Sequence, residues 1–228
     1  MINGILNLDK PTGSTSSYTV NRVKRLLPRR VKIGHAGTLD SFATGVLLLL
    51  IGKATKLSES LMSSPKQYEA TVRFGATTAT DDPDSPEQLV SPAPKPLTRE
   101  DLLRLLPKFT GPIHQTPPVF SALKIAGRRA SDRARAGQMV VVQPRTVMVY
   151  GIELIDFNWP TAKLKIRCGR GTYIRSIARD LGEALRVGGY LTELRRTKVG
   201  IFSIDQAVTL ERVTAEGVES FLSPVARN

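Results

Sequence analysis

The 228-residue sequence is poor in several chemically loaded residue types. It has one cysteine, Cys168, so no internal disulfide can form, which suits a reducing cytoplasm. His35 and His114 are its only imidazoles, and with Cys168 they cannot furnish a four-ligand zinc site. The longest uninterrupted run of large apolar residues, Val46 to Ile51, is far too short to span a bilayer. Met1 to Asp9 lacks the basic start of a secretory signal, so a soluble cytoplasmic protein without metal is expected. Acids are scarce too: 20 Asp plus Glu stand against 33 Lys plus Arg, a net charge of +13. A surplus of this size points to a polyanionic partner, nucleic acid first and an anionic membrane surface second.

A hydrophobic fraction of 41% with 23% charged residues is that of a folded chain, and the length is ample for a buried core. Charge is unevenly spread. Arg22 to Lys32 holds six basic residues and no acid, and Lys124 to Arg145 six against Asp132 alone. Lys163 to Lys198 holds ten against Asp180, Glu183 and Glu193, whereas Asp81 to Asp101 holds six acids and two bases. Three basic runs with the acids segregated elsewhere predict one continuous anion-binding face.

Periodicity predicts strands at Gly4 to Asp9, Val46 to Ile51, Tyr68 to Gly75, Thr146 to Phe157 and Ala162 to Cys168. A helix is predicted from about Ser17, burying Val20, Val23, Leu26 and Leu27. Others are predicted through Leu57 and Leu61, from Arg99 to Leu106, and in a short basic segment ending near Gly137. The clearest one follows Thr172 as N-cap, with Ile174, Ile177, Ala178, Leu181 and Leu185 along one stripe. Asp81 to Pro96, rich in proline and acids, reads as a surface loop. Strands and helices interleave without a repeat, so one α+β domain spanning residues 1–228 is expected.

Two constellations carry chemistry. Gly34-His35-Ala36-Gly37-Thr38-Leu39-Asp40-Ser41-Phe42-Ala43-Thr44-Gly45 places a carboxylate and an imidazole on a glycine-rich loop that runs into a buried strand. Gly169-Arg170-Gly171-Thr172-Tyr173-Ile174-Arg175-Ser176 places Arg175 in the first turn of a helix, where the dipole disfavours a cation by roughly 0.3–1 kcal/mol. Such a cation calls for an anion: Asp40, a phosphate or a nearby surface acid. Gly52-Lys53-Ala54-Thr55 lacks the spacing of a phosphate-binding P-loop, and no Gly-x-Ser-x-Gly elbow occurs.

Together these segments resemble the TruB family of tRNA pseudouridine synthases. The resemblance rests on Lys10-Pro11-x-Gly13-x-Thr15-Ser16, the Gly34 to Gly45 loop, and Lys66-x-Tyr68 with Thr78-x-Thr80-Asp81. It continues through Pro117-Pro118-x-Phe120-Ser121-Ala122-x-Lys124, Gly171-Thr172-Tyr173-Ile174-Arg175 and Leu194-Arg195-Arg196-Thr197, in the family's order.

It implies the pseudouridine synthase fold, a mixed, largely antiparallel sheet flanked by helices and loops. It also implies a cofactor-free isomerisation of the uridine at tRNA position 55, in the T stem-loop. Asp40 would be the essential carboxylate, either nucleophile at C1′ or base at C2′, and Arg175 would pair with it. Tyr68 would stack on the target base and share in proton transfer at C5. Tyr173 and Leu194 would line the uracil pocket, Lys10 would support it, and His35 would fill space or contact RNA. A thumb-like segment, residues 124–137, would grip RNA through Lys124, Arg128 and Arg129.

Phe120 stands where the family usually has Tyr, and an aromatic expected near Ser131 is missing. Only 26 residues follow Phe202, too few for the C-terminal PUA-type RNA-binding domain of many members. The related guide-RNA-dependent synthases dock through that domain, so a stand-alone tRNA enzyme without guide RNA is expected; a monomer is expected as well. A guide-RNA-dependent synthase and a non-catalytic tRNA-folding protein on the same scaffold are the alternatives.

Overall fold

The run Val46 to Ile51 is hydrophobic at every position because its strand, Thr44–Ile51, is covered on both faces. Leu47, Leu49 and Ile51 join Leu6, Leu8, Val23, Leu27, Val213 and Val218 on one side. Val46, Leu48 and Leu50 join Ile5, Ala36, Ala54 and Val199 on the other. The period of two along an extended chain produces this division without any further device.

The computed structural model describes residues 2–121, 123–125 and 127–224. The side chains of Lys124, Ile125, Arg128, Arg129 and Ser131 lie outside the described part, as does Ala122 of the proline-rich motif. The residues cluster into two compact units, 1–68 with 194–228, and 69–193.

In the first unit, strand Gly4–Lys10 runs antiparallel to Thr44–Ile51, pairing Leu8 with Leu47 and Lys10 with Gly45. Ile33–His35 adds to the far end of Thr44–Ile51, and Leu222–Ser223 pairs antiparallel with Gly4–Lys10. Two parallel pairings make this sheet mixed: Leu8 with Val208, and Arg195 with Thr44. Helix Ser16–Lys24 begins at Thr15, whose side chain accepts from the Tyr18 N–H and so satisfies one of the unpaired amides of the first turn. Val23 and Leu27 are buried as predicted, but Leu26 is 41% exposed. The helix stops at Lys24, so the 3.6-residue period no longer aims Leu26 inward.

In the second unit, Arg145–Asn158 pairs antiparallel with Thr161–Cys168 and with Gly111–Gln115. Thr161–Cys168 alternates strictly: Ala162, Leu164, Ile166 and Cys168 face inward, Lys163, Lys165 and Arg167 outward. Helix Ile174–Ala184 buries Ile174, Ile177, Ala178 and Leu181 of the predicted stripe, while Leu185 is its C-cap and only half-buried. It packs so closely that a Cβ on Gly182 would lie 2.3 Å from the Gly188 carbonyl carbon. The basic segment forms a hairpin, Lys124–Ile125 with Arg128–Arg129, followed by helix Ala130–Arg135. No helix among the described residues is long and apolar enough to cross a membrane.

Candidate active site

In the first unit the loop leading to strand Thr44–Ile51 is fastened through its backbone. Ser16, 1% exposed, sends one hydroxyl to both polar groups of Leu39: it accepts from the Leu39 N–H at 2.8 Å and donates to the Leu39 carbonyl at 3.0 Å. Across Asp40, the Ser41 carbonyl accepts from the Gly13 N–H at 2.9 Å and from Lys10 Nζ at 3.3 Å. Lys10 is fully buried and also donates to the carbonyls of Pro11 and Ser14. Burial pushes its pKa down to about 8, against the attraction of Asp40, which raises it, and with the repulsion of Arg196.

Arg196, 1% exposed, completes the arrangement. Its Nε donates to the Val46 carbonyl at 2.7 Å, Nη2 to Gly37 at 3.1 Å and Nη1 to Thr38 at 3.4 Å. Gly45 has to be glycine here: its φ is +102°, and a Cβ would sit 2.2 Å from the Arg196 carbonyl oxygen. Asp40 and His35 are half-buried in this unit, whereas Tyr68 and Leu194 are buried at 8% and 7% exposure.

In the second unit Arg175 occupies the first turn of helix Ile174–Ala184, as expected. Its Nη1 donates to Asp82 Oδ2 and to the Thr80 carbonyl, both at 2.9 Å, and its Nη2 to the Phe120 carbonyl at 3.0 Å. One anion that meets this cation is the buried Asp82 carboxylate, beside the Asp40, phosphate or surface acid that the sequence allows. One turn on, Arg179 pairs with Asp81 at 3.0 Å and with Asp180 at 2.8 Å. The adjacent acids Asp81 and Asp82 therefore meet arginines four residues apart on one helix face. This corrects the reading of Asp81 to Pro96 as wholly a surface loop, because Asp82 is 2% exposed. Burial raises the Asp81 carboxyl, while Arg179 and Arg175 hold it down.

Thr172 is not the N-cap. Tyr173 occupies that position without a side-chain cap, and the Thr172 hydroxyl donates instead to the Met148 carbonyl. Gln115 clasps Tyr173 from the neighbouring strand: its Oε1 accepts from the Tyr173 N–H at 2.8 Å and its Nε2 donates to the Tyr173 carbonyl at 3.0 Å. The Arg145 guanidinium lies 5.3 Å from the centre of the Tyr173 ring.

Gln115, Asp82 and Arg179 are the groups that sequence reasoning passed over, and Ser16, Asp81 and Arg196 stand in its motifs without an assigned role. For Arg196 a signal existed. It shares the strand's alternation with Leu194, so an inward Leu194 implies an inward Arg196. No group of three or more His, Cys, Asp or Glu suited to a metal ion occurs among the described residues.

Residues 24–174 match the description "TruB family pseudouridylate synthase (N terminal domain)", and residues 175–225 match "tRNA pseudouridylate synthase B C-terminal domain". The chain belongs to the TruB family. A TruB relative from Pseudomonas fluorescens (strain Pf0-1), named tRNA pseudouridine synthase B, is 43% identical over 98% of this chain and 74% of its own length. One of the same name from Bordetella avium (strain 197N) is 45% identical over 94% of this chain and 88% of its own. Among solved structures, a chain of a Cbf5-Nop10-Gar1 complex superposes with a TM-score of 0.71 at 29% identity, over 96% of this chain and 57% of that one. A chain of an H/ACA RNP bound to a substrate RNA containing 2′-deoxyuridine gives 0.70 at 26%, over 97% and 59%. The TruB chain thus spans less than two thirds of those two structures' chains.

Proposed function

We propose that this protein is a tRNA pseudouridine synthase that converts the T-loop uridine at position 55 to pseudouridine. The observation that carries the reading is the fastened loop, which presents Asp40 between two pinned neighbours in a chain of the TruB family.

In the reaction the N1–C1′ bond of the target uridine breaks, the uracil rotates, and C5 bonds to C1′. The proton displaced from C5 is balanced by the one gained at N1, so the product is an isomer and no cofactor is consumed. Asp40 acts at the ribose, as nucleophile at C1′ or base at C2′, and both roles require an ionised carboxylate. Arg175 is the cation serving that carboxylate. Tyr68 stacks on the base, Tyr173 and Leu194 bound the uracil, Lys10 braces the loop, and His35 contacts the extruded region.

Turning a base out of its loop costs a few kcal/mol, which phosphate contacts offset. Exposed Arg22, Lys24, Arg25, Arg29, Arg30 and Lys32 in the first unit support such contacts. Lys163, Lys165, Arg167 and Arg170 do so in the second, and Lys124, Arg128 and Arg129 complete the grip. The enzyme works as a cytoplasmic monomer on this reading.

The test is incubation with an unmodified tRNA transcript and no guide RNA, followed by mapping of pseudouridine. Wild type converts the T-loop uridine. Asp40→Asn binds the same RNA but loses conversion by on the order of 10²–10⁴-fold or more. Conversion only when a guide RNA is added would favour the guide-dependent alternative, and equal conversion by the Asp40→Asn variant would leave a binding protein.

A further inference from the structure

Asp40 sits between two residues whose backbones are held by side chains from distant segments, and the hold continues along the loop. Ser16 takes both polar groups of Leu39, and Arg196 takes the carbonyls of Gly37, Thr38 and Val46. Both are 1% exposed, so neither side chain is presented to a substrate.

The chemistry of Arg196 is unusual for a structural residue. Among the described residues it forms no ion pair, so its buried charge is met by carbonyl dipoles. Burying a charge in this way is costly, and a hydrophobic side chain of similar volume usually serves stability as well or better. What the guanidinium offers is a rigid planar fork whose donors reach three acceptors at once, on both flanks of Asp40. Ser16 is similarly specific. A single hydroxyl acts as donor and acceptor to one residue, mimicking a strand partner beside Asp40.

We propose that Ser16 and Arg196 are positioning residues of the isomerisation, acting through the backbone of residues 37–46 to set where the Asp40 carboxylate stands. This rests on the reading of Asp40 as the essential carboxylate. A reacting carboxylate must be placed to within about 0.5 Å, which a glycine-rich loop cannot achieve unaided.

The test uses the full chain and a T-arm RNA hairpin, measuring binding and the single-turnover rate at saturating enzyme. Ser16→Ala and Arg196→Lys should each slow the bound reaction by about tenfold to 10²-fold, with the Kd for RNA held within about twofold. Val213→Ala, in the helix-side core, serves as a control for general destabilisation followed by its thermal midpoint. A wild-type rate in either variant overturns the role given to that residue. So does a rate loss that Val213→Ala reproduces at a matched midpoint, or a loss expressed in Kd alone. Asp40→Asn run alongside separates the two levels. If it stays active, the reading of Asp40 fails; if it is inactive while both variants react normally, only the positioning role fails.

Discussion

Arg175 and Asp82 form an ion pair closed off from solvent, with 2.9 Å between Nη1 and Oδ2 and side chains 3% and 4% exposed. The Thr80 and Phe120 carbonyls take further donors of the same guanidinium. Removing one partner of a buried pair costs up to roughly 3–5 kcal/mol, less what the other partners of this guanidinium make up. Asp82→Ala should therefore lower the urea midpoint strongly, while Asp82→Asn, which keeps an acceptor oxygen, should lower it less. A stability for Asp82→Ala within about 1 kcal/mol of wild type would count against an energetic role for the pair.

Lys10 makes stability depend on pH in a definite direction. Its folded pKa, about 8, lies below the unfolded value of 10.5. Between these values the unfolded chain binds more protons than the folded one, so this group's contribution to stability rises with pH across that window. Below pH 8 both states are protonated and the contribution is flat. The stability difference between wild type and Lys10→Met should accordingly grow in favour of wild type from about pH 8 toward pH 10. Other alkaline titrations are common to both proteins and cancel. A difference that stays constant over this range would show that burial does not depress the pKa.

Gly45→Ala should be among the most damaging small substitutions. A methyl group there meets the Arg196 backbone at 2.2 Å, on a residue whose φ of +102° already excludes most side chains. The paired strands must separate, at a cost of roughly 3 kcal/mol or more. Thermal unfolding measures this directly. Gly34→Ala, where an added methyl meets nothing within 4 Å, is the comparison and should be nearly neutral.

Replacing Arg128 and Arg129 together by Ala should weaken RNA binding and flatten its dependence on salt. For every phosphate no longer neutralised, the slope of log K against log salt falls by roughly 0.7–0.9. Binding titrations at several salt concentrations check this, and an unchanged slope would remove the hairpin from the RNA-binding surface.

Local patterns in the sequence carried far. The strands Gly4–Lys10, Thr44–Ile51 and Thr161–Cys168 fall within two residues of expectation, because strict alternation, or a short apolar run bounded by glycines such as Gly45 and Gly52, favours a strand. Arg175 in a first helical turn was legible for the same reason. Partners brought together by the fold were not legible. Asp82 and Arg175 are 93 residues apart, and Arg196 and Thr38 are 158 apart. Charge runs misled in a related way. The run from Lys163 to Lys198 supplies exposed Lys163, Lys165 and Arg167, but it also supplies Arg175 and Arg196, which are buried in internal bonds. A count of basic residues along the chain does not separate those facing RNA from those facing carbonyls.

The first unit is closed by both ends of the described chain, and this sets an order of events during synthesis. The guanidinium that holds Thr38 is translated 158 residues after the loop bearing Asp40. Until then the loop is held without it, by Lys10, Thr12, Gly13 and Ser16 upstream and by the pairing of residues 33–36 with Leu48 to Ile51 downstream. On the proposed role of Arg196, a nascent chain would carry the exposed basic residues Arg22 to Lys32 well before it could react. If Arg196 positions Asp40 as proposed, the onset of activity waits for Arg196 rather than for the folding of the segment around Asp40.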